Sequence, residues 1–173
     1  MRTINKTLTL LAIMSMTVLV SVQAVAPQWG AAAAKADSNL SVDDMLIYAI
    51  QDEFAAQAEY IAIQAMFGEM RPFSNIEQSE QSHIGWLTEQ FAAYRKPLPA
   101  NTAKDHVVTP DTLKRAYEIG VQAEIDNIAM YDAFLATPLM TQAANKALRD
   151  VFVRLRDASK NHLSSFQRQL GKY

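Results

Sequence analysis

The stretch Ser74-Asn75-Ile76-Glu77-Gln78-Ser79-Glu80-Gln81-Ser82-His83 decides the fold. A carboxylate at 80 and an imidazole at 83 lie three residues apart, which places them on one face of a helix. Steps of three and four through the same segment pick out Ile76, Glu80, His83, Leu87, Phe91 and Tyr94, the buried seam of an amphipathic helix. The pattern Ser74-Asn-Ile-Glu77 reads as a capping box, and the helix runs to about Tyr94. Glu80 and His83 therefore face the core. An uncompensated buried carboxylate costs several kcal/mol or more, so another group in that core must meet it.

Three further segments carry the same period. One opens at Ser41-Val-Asp-Asp44, with acids in its first turn, and has the seam Val42, Leu46, Ala49, Glu53, Ala56, Tyr60, Ile63 and Phe67. Gly68 to Pro72 ends it. Another starts at Thr109-Pro110-Asp111, with the seam Leu113, Tyr117, Gly120, Glu124, Ile128, Tyr131 and Leu135, and is interrupted at Thr137-Pro138. The last is expected from about Leu139 to Leu170, with the seam Leu148, Phe152, Leu155, Ser159, His162, Phe166 and Leu170 and a stop at Gly171. A polar loop from Arg95 to Val108 is long enough to cross the end of a bundle. No segment alternates like a strand. The expectation is an all-α four-helix bundle over residues 41–171.

Composition agrees with this reading. The chain of 173 residues holds 5 glycines and 6 prolines, which favours helices. Its net charge is -2, with no basic cluster in the body, which argues against nucleic acid as the main partner. There is no cysteine, so disulfides and thiolate metal sites are excluded.

The N-terminus reads as a secretory signal peptide over residues 1–24. Arg2 and Lys6 precede an apolar run from Leu8 to Val20, and the small residues of Val22-Gln-Ala24 follow. Cleavage after Ala24 is favoured over Ala26, which Pro27 follows. An uncleaved membrane anchor is the alternative, although the run is short for a span. The lack of a cysteine argues against a lipid anchor. The expectation is export, to the periplasm or outside the cell, with no membrane attachment after cleavage. Residues 25–40 show no amphipathic period and read as a linker.

The four seams together bear a polar constellation. Glutamates stand at Glu53, Glu80 and Glu124, and histidines at His83 and His162. Carboxylates and imidazoles from four facing helices make a metal site; this donor set suits iron or manganese and admits zinc. A buried ion pair without metal is the plainer alternative for Glu80 and His83. The chain also repeats itself. Tyr60 follows Glu53 by seven residues and Tyr131 follows Glu124 by seven, which sets each tyrosine beneath its own glutamate, in reach of a second-shell hydrogen bond. Ser79-Glu-Gln-Ser-His83-Ile aligns with Ala158-Ser-Lys-Asn-His162-Leu. Tyr117 and the methionines read as core filling, and His106 as a solvated loop residue.

With Glu53 and Glu124 as single glutamates and Glu80-x-x-His83 intact, the chain resembles the ferritin-like superfamily, with rubrerythrin-type spacing. It looks closest to a bacterial branch known as a domain of unknown function, on the phrases Asn75 to His83 and Ser159-Lys-Asn-His162-Leu-Ser-Ser-Phe166. The resemblance covers roughly residues 42 to 170. It implies a non-haem protein with two iron or manganese ions that acts on O2, peroxide or ferrous iron as an oxidase, peroxidase or ferroxidase. Glu53, Glu80 and Glu124 would hold or bridge the ions, and His83 and His162 would cap one each. The chain departs from the pattern at Ser159, where the second Glu-x-x-His puts its glutamate, and at Asn127, where rubrerythrin-like sites have another carboxylate. Glu77, one turn before Glu80, is a reserve ligand. Three carboxylates and two imidazoles fit two ions with water or an anion added, or a single ion. The other function class is therefore a non-catalytic metal-binding or structural bundle with a degenerate site. Without cysteine any electron donor is external; a homodimer is compatible with the fold.

Overall fold

A computed structural model describes residues 29–173, and the expected signal peptide at 1–24 lies outside them. Every regular element among the described residues is helical: α1 (Gly30–Ala36), α2 (Val42–Phe67), α3 (Phe73–Ala93), α4 (Leu113–Ala136) and α5 (Lys146–Leu170). Three short 3-10 turns lie between them, at Ala103–Asp105, Pro138–Thr141 and Ala143–Asn145. No helix among these residues is long and apolar enough to cross a membrane.

The long helices start and stop close to where the sequence places them, with local differences. At α2 the capping box is present: the Asp44 N–H donates to Ser41 Oγ at 3.2 Å, and the Ser41 N–H donates to Asp44 Oδ2 at 3.0 Å. The box expected at Ser74 does not form. Helix α3 begins at Phe73 after Pro72, and the Ser74 N–H already donates to the Met70 carbonyl at 3.0 Å. At α4 the cap is Thr112 rather than Thr109, its hydroxyl accepting from the Arg115 N–H at 3.2 Å. Helix α5 begins at Lys146 instead of Leu139. The chain between is wound into the two 3-10 turns and pinned by Asn145, which donates to the Leu139 carbonyl at 2.9 Å and accepts from Tyr94 Oη at 2.8 Å.

The segment read as a linker holds a helix. Its first turn is fastened to α2: the Gly30 N–H donates to Gln51 Oε1 at 3.1 Å and the Ala31 N–H to Asp52 Oδ1 at 2.9 Å. Side-chain oxygens thus satisfy donors that a helix start leaves open. The alanine-rich α1 has small side chains that let it lie close on α2 and α4.

Helix α2 packs mainly on α3 and α4 mainly on α5, and the two pairs meet where α2 faces α4 and α3 faces α5. Their buried seams build two apolar clusters. One gathers Met45, Leu46, Ile50, Leu87, Phe91, Phe134, Phe152 and Leu155 with Tyr131. The other gathers Ile63, Phe73, Ile76, Tyr117 and Phe166 with Tyr60. On α3, α4 and α5 the polar core residues fall between the positions given to the two clusters, and on α2 Glu53 lies beside Phe54 at the edge of the first, so a polar layer lies between two apolar ones. Hydrocarbon on both sides removes solvent as a partner for that layer.

Candidate metal centre

Five side chains fill the layer, one from α2, two from α3, one from α4 and one from α5. Glu53, Glu80, His83 and Glu124 are 2–3% exposed and His162 is 8% exposed. The seam periodicity does this: each residue is three or four positions from an apolar neighbour that points the same way. Their ligand atoms form two sets whose members lie within 4.8 Å of one another, Glu53 with Glu80 and His83, and Glu80 with Glu124 and His162. Glu80 belongs to both. Its Oε2 lies 2.6 Å from His83 Nδ1, and its Oε1 lies 3.2 Å from His162 Nδ1. His83 Nδ1 also lies 3.0 Å from Glu53 Oε2, and His162 Nδ1 lies 3.3 Å from Glu124 Oε1.

The two tyrosines reach core carboxylates, but crosswise. Tyr60 on α2 donates to Glu124 Oε1 on α4 at 3.1 Å, and Tyr131 on α4 donates to Glu53 Oε1 on α2 at 2.6 Å. Helices α2 and α4 run antiparallel, so the position two turns beyond one glutamate comes level with the glutamate of the other helix. The seven-residue spacing set the reach correctly and the partner wrongly.

Ser159 faces the core, and it does not join either ligand set. Its hydroxyl donates to Asn127 Oδ1 at 2.9 Å, and Asn127 Nδ2 in turn donates to Asp52 Oδ2. Two neutral groups, Ser159 and Asn127, tied to the Asp52 carboxylate, therefore stand where the resemblance implies further ligand carboxylates. Glu77 is half-buried and belongs to neither set. Tyr117 turns to Met70 Sδ at 3.8 Å and stacks on Phe73, away from the layer. His106 is exposed and stacks on Trp29, with ring centroids 4.5 Å apart.

Ser79 and Asp52 were not singled out in the sequence. Ser79 Oγ stands 3.1 Å from His83 Nε2 and 3.3 Å from His162 Nε2. Each is the residue before a core glutamate, so a search restricted to seam positions passes over both.

The electrostatics follow from burial and proximity. Burial works against a charged His83, yet the carboxylates of Glu53 and Glu80 outweigh it and push the imidazole up to about 10. His162 goes the same way, up to about 9, through Glu124 and Glu80. Burial, and then the charge of Glu80, raises Glu53 to about 7, while the two adjacent imidazoles, His162 and His83, overcome burial at Glu80 and hold it low. Burial raises both tyrosines far beyond their usual range, so they act as neutral donors. Among themselves, the side chains of the layer pair imidazolium with carboxylate.

That pairing is incomplete. His162 Nδ1 is buried, sits between two carboxylates, and makes no hydrogen bond because neither oxygen is in line with it. A buried nitrogen without a partner is costly in a self-contained ion-pair core, whereas a ring nitrogen that can give up its proton between two carboxylates suits a cation. The oxygen and imidazole donors fit iron, manganese or zinc. The residues present therefore fit a metal, and the two buried groups can hold metal ions. A cavity of about 670 Å³ lies between α1, α2 and α4, lined by alanines with Asp52, Glu59 and Asp126; none of the five core residues lines it.

No family model and no curated protein matches the chain. Among solved structures it is similar to the hypothetical protein MJ0754 from Methanococcus jannaschii DSM 2661, with a TM-score of 0.64 and 21% identity. The match covers 79% of this chain and 85% of that one. At this identity the likeness establishes a shared fold and nothing about chemistry.

Proposed function

We propose that this protein is a ferritin-like four-helix bundle that binds two divalent ions, iron or manganese, through Glu53, Glu80, His83, Glu124 and His162. The observation that carries the reading is the division of Glu80. Its two oxygens turn to different imidazoles, each backed by one further glutamate, so one carboxylate serves two three-residue sets. Two such ions, when bound, would supply Lewis acidity and electrons for reduction of O2 or peroxide, or a place to oxidise ferrous iron.

The chain's own residues have distinct parts in this reading. Glu53 and Glu124 would close the two ends, and each accepts a hydrogen bond from a tyrosine hydroxyl: Glu53 on the oxygen turned away from His83, and Glu124 on the oxygen that faces His162. His83 and His162 would each hold one ion through Nδ1. The apolar clusters on either side keep bulk water from the layer, which strengthens every charge interaction within it. Export through the leader at residues 1–24, an external electron donor and a homodimeric state belong to the same proposal.

A single observation favours a second reading, a binding or structural bundle without turnover. Ser159 and Asn127 satisfy one another, so the layer has three carboxylates where the resemblance implies more. Metal content after anaerobic ferrous loading, followed by the absorption spectrum on adding peroxide, separates the two. About two irons per chain with new near-ultraviolet bands is expected of the first reading. One ion, or two without a spectral response, supports the second. No bound metal, with equal heat stability with and without iron, sinks metal binding altogether.

A further inference from the structure

Each imidazole in the polar layer presents two different edges. On the Nδ1 edge stand carboxylates: Glu53 and Glu80 for His83, Glu80 and Glu124 for His162. On the Nε2 edge stands one hydroxyl, Ser79 Oγ, shared by both rings at 3.1 Å and 3.3 Å. The rings are close to parallel, 21° apart with centroids 5.7 Å from each other, so both Nε2 edges can meet the same atom.

We propose that Ser79 is a positioning residue for both histidines, its single oxygen accepting both Nε2–H groups and so reserving both Nδ1 atoms for metal. This rests on the metal-binding reading above and goes beyond it, since Ser79 is in neither ligand set. The chemistry is that of hydrogen-bond capacity. A neutral imidazole that ligates through one nitrogen carries its proton on the other, and the partner of that proton fixes which is which. A serine hydroxyl has two acceptor lone pairs, enough for two N–H donors. The internal repeat shows why one oxygen must serve twice: where α3 has Ser79 before Glu80, α5 has Ala158 before Ser159. Both Nε2 atoms already lie within hydrogen-bond distance of Ser79 Oγ. A cation replacing the Nδ1 proton then requires no rotation of either ring.

The test uses the full-length 15N-labelled chain and zinc, which is diamagnetic, with long-range proton–nitrogen correlation spectra of the two imidazoles. In the zinc-loaded protein both rings are expected as Nε2–H with Nδ1 ligated. Ser79→Ala should lower zinc affinity by about 10- to 100-fold and blur this single tautomer, with the helix content unchanged. Ser79→Thr, which keeps the hydroxyl, should restore most of the affinity. A ring that ligates through Nε2 in the wild type overturns the proposal. So does a Ser79→Ala variant with wild-type affinity and unchanged ring signals, although metal binding itself would then stand. If wild-type protein takes up neither zinc, ferrous nor manganous ions, the metal reading fails and this proposal falls with it. Should Ser79→Ala not fold, the wild-type ring pattern decides alone.

Discussion

Tyr131 and Glu53 make the shorter of the two tyrosine–glutamate bonds, 2.6 Å against 3.1 Å for Tyr60 and Glu124, and both acceptors are buried. Tyr131→Phe removes the donor and keeps the ring, leaving Glu53 Oε1 without a partner. A buried acceptor stranded in this way costs about 1–3 kcal/mol, and urea unfolding of the metal-free protein should show a loss in that range with an unchanged m-value. A loss under about 0.3 kcal/mol would mean that Glu53 finds another donor and that the hydroxyl does not orient it. Legibility differed residue by residue here. Glu53, Glu80, His83, Glu124 and His162 were readable because buried charges on apolar seams stand out against their neighbours. The crossed tyrosines were not, because spacing along one helix says how far a side chain lies from a level and nothing of which helix meets it there. Ser79 and Asp52 sit one position off their seams, although the mismatch of Ser79 with Ala158 in the repeat was a signal that could have drawn attention to α3.

At the scale of elements, Gly120 on α4 lies directly against the Phe166 ring on α5. A Cβ built there meets carbons of the Phe166 ring at 3.0–3.1 Å, and Phe166 is fully buried, packed between Tyr60 and Phe73. Alanine normally stabilises a helix interior over glycine by about 1 kcal/mol. Here the ring has no room to give, so overpacking should reverse the sign. Gly120→Ala is expected to destabilise by about 1–3 kcal/mol, seen as a lower denaturant midpoint; a raised midpoint would show that the ring can retreat. Helix α1 makes the opposite case. Its Ala-rich stretch lacks any amphipathic period because almost every side chain is a methyl group, and its anchor is a hydrogen bond from another element rather than a pattern of its own. Asp52→Ala removes that anchor together with the bond from Asn127. Amide exchange in Gly30–Ala36 should then accelerate by at least about tenfold, with α3 protection nearly unchanged. Uniform acceleration over all helices would mean that Asp52 supports the whole fold and not α1 in particular. The long helices were legible because 20 or more residues of 3.6 period leave little ambiguity, whereas caps and 3-10 turns depend on contacts such as Asn145 with Leu139 and Tyr94 that no local pattern contains.

The whole molecule answers pH as the sum of its buried groups, and the direction depends on whether the layer holds protons or metal. Without metal, His83 and His162 are raised from 6.5 to about 10 and about 9. Glu53 is raised from 4.5 to about 7, and Asp52 and Glu59, mainly through burial, reach about 7 as well. In each case the folded state binds a proton more tightly than the unfolded chain. Stability from such a group is complete below its unfolded value and is lost as pH rises through its folded value. The carboxylates therefore remove stability from about pH 4 to about pH 7, and the imidazoles remove more from about 6.5 to about 10. Within this core Glu80, held low, works the other way, and its window lies at more acidic pH. The metal-free Tm should accordingly fall by at least about 5 °C between pH 6 and pH 10. Metal reverses the slope. Ligation requires both Nδ1 atoms to lose their protons, so apparent affinity rises with pH, and the stabilisation it confers by mass action rises with it. Thermal unfolding across this range, with zinc at fixed excess over the protein and without it, should give a gap in Tm that widens from pH 6 to pH 8. A gap that stays constant would place the ions somewhere other than the two imidazoles. A metal-free Tm that climbs toward pH 10 would mean that His83 and His162 are neutral in the folded chain, and the paired-ion account of the layer would be lost.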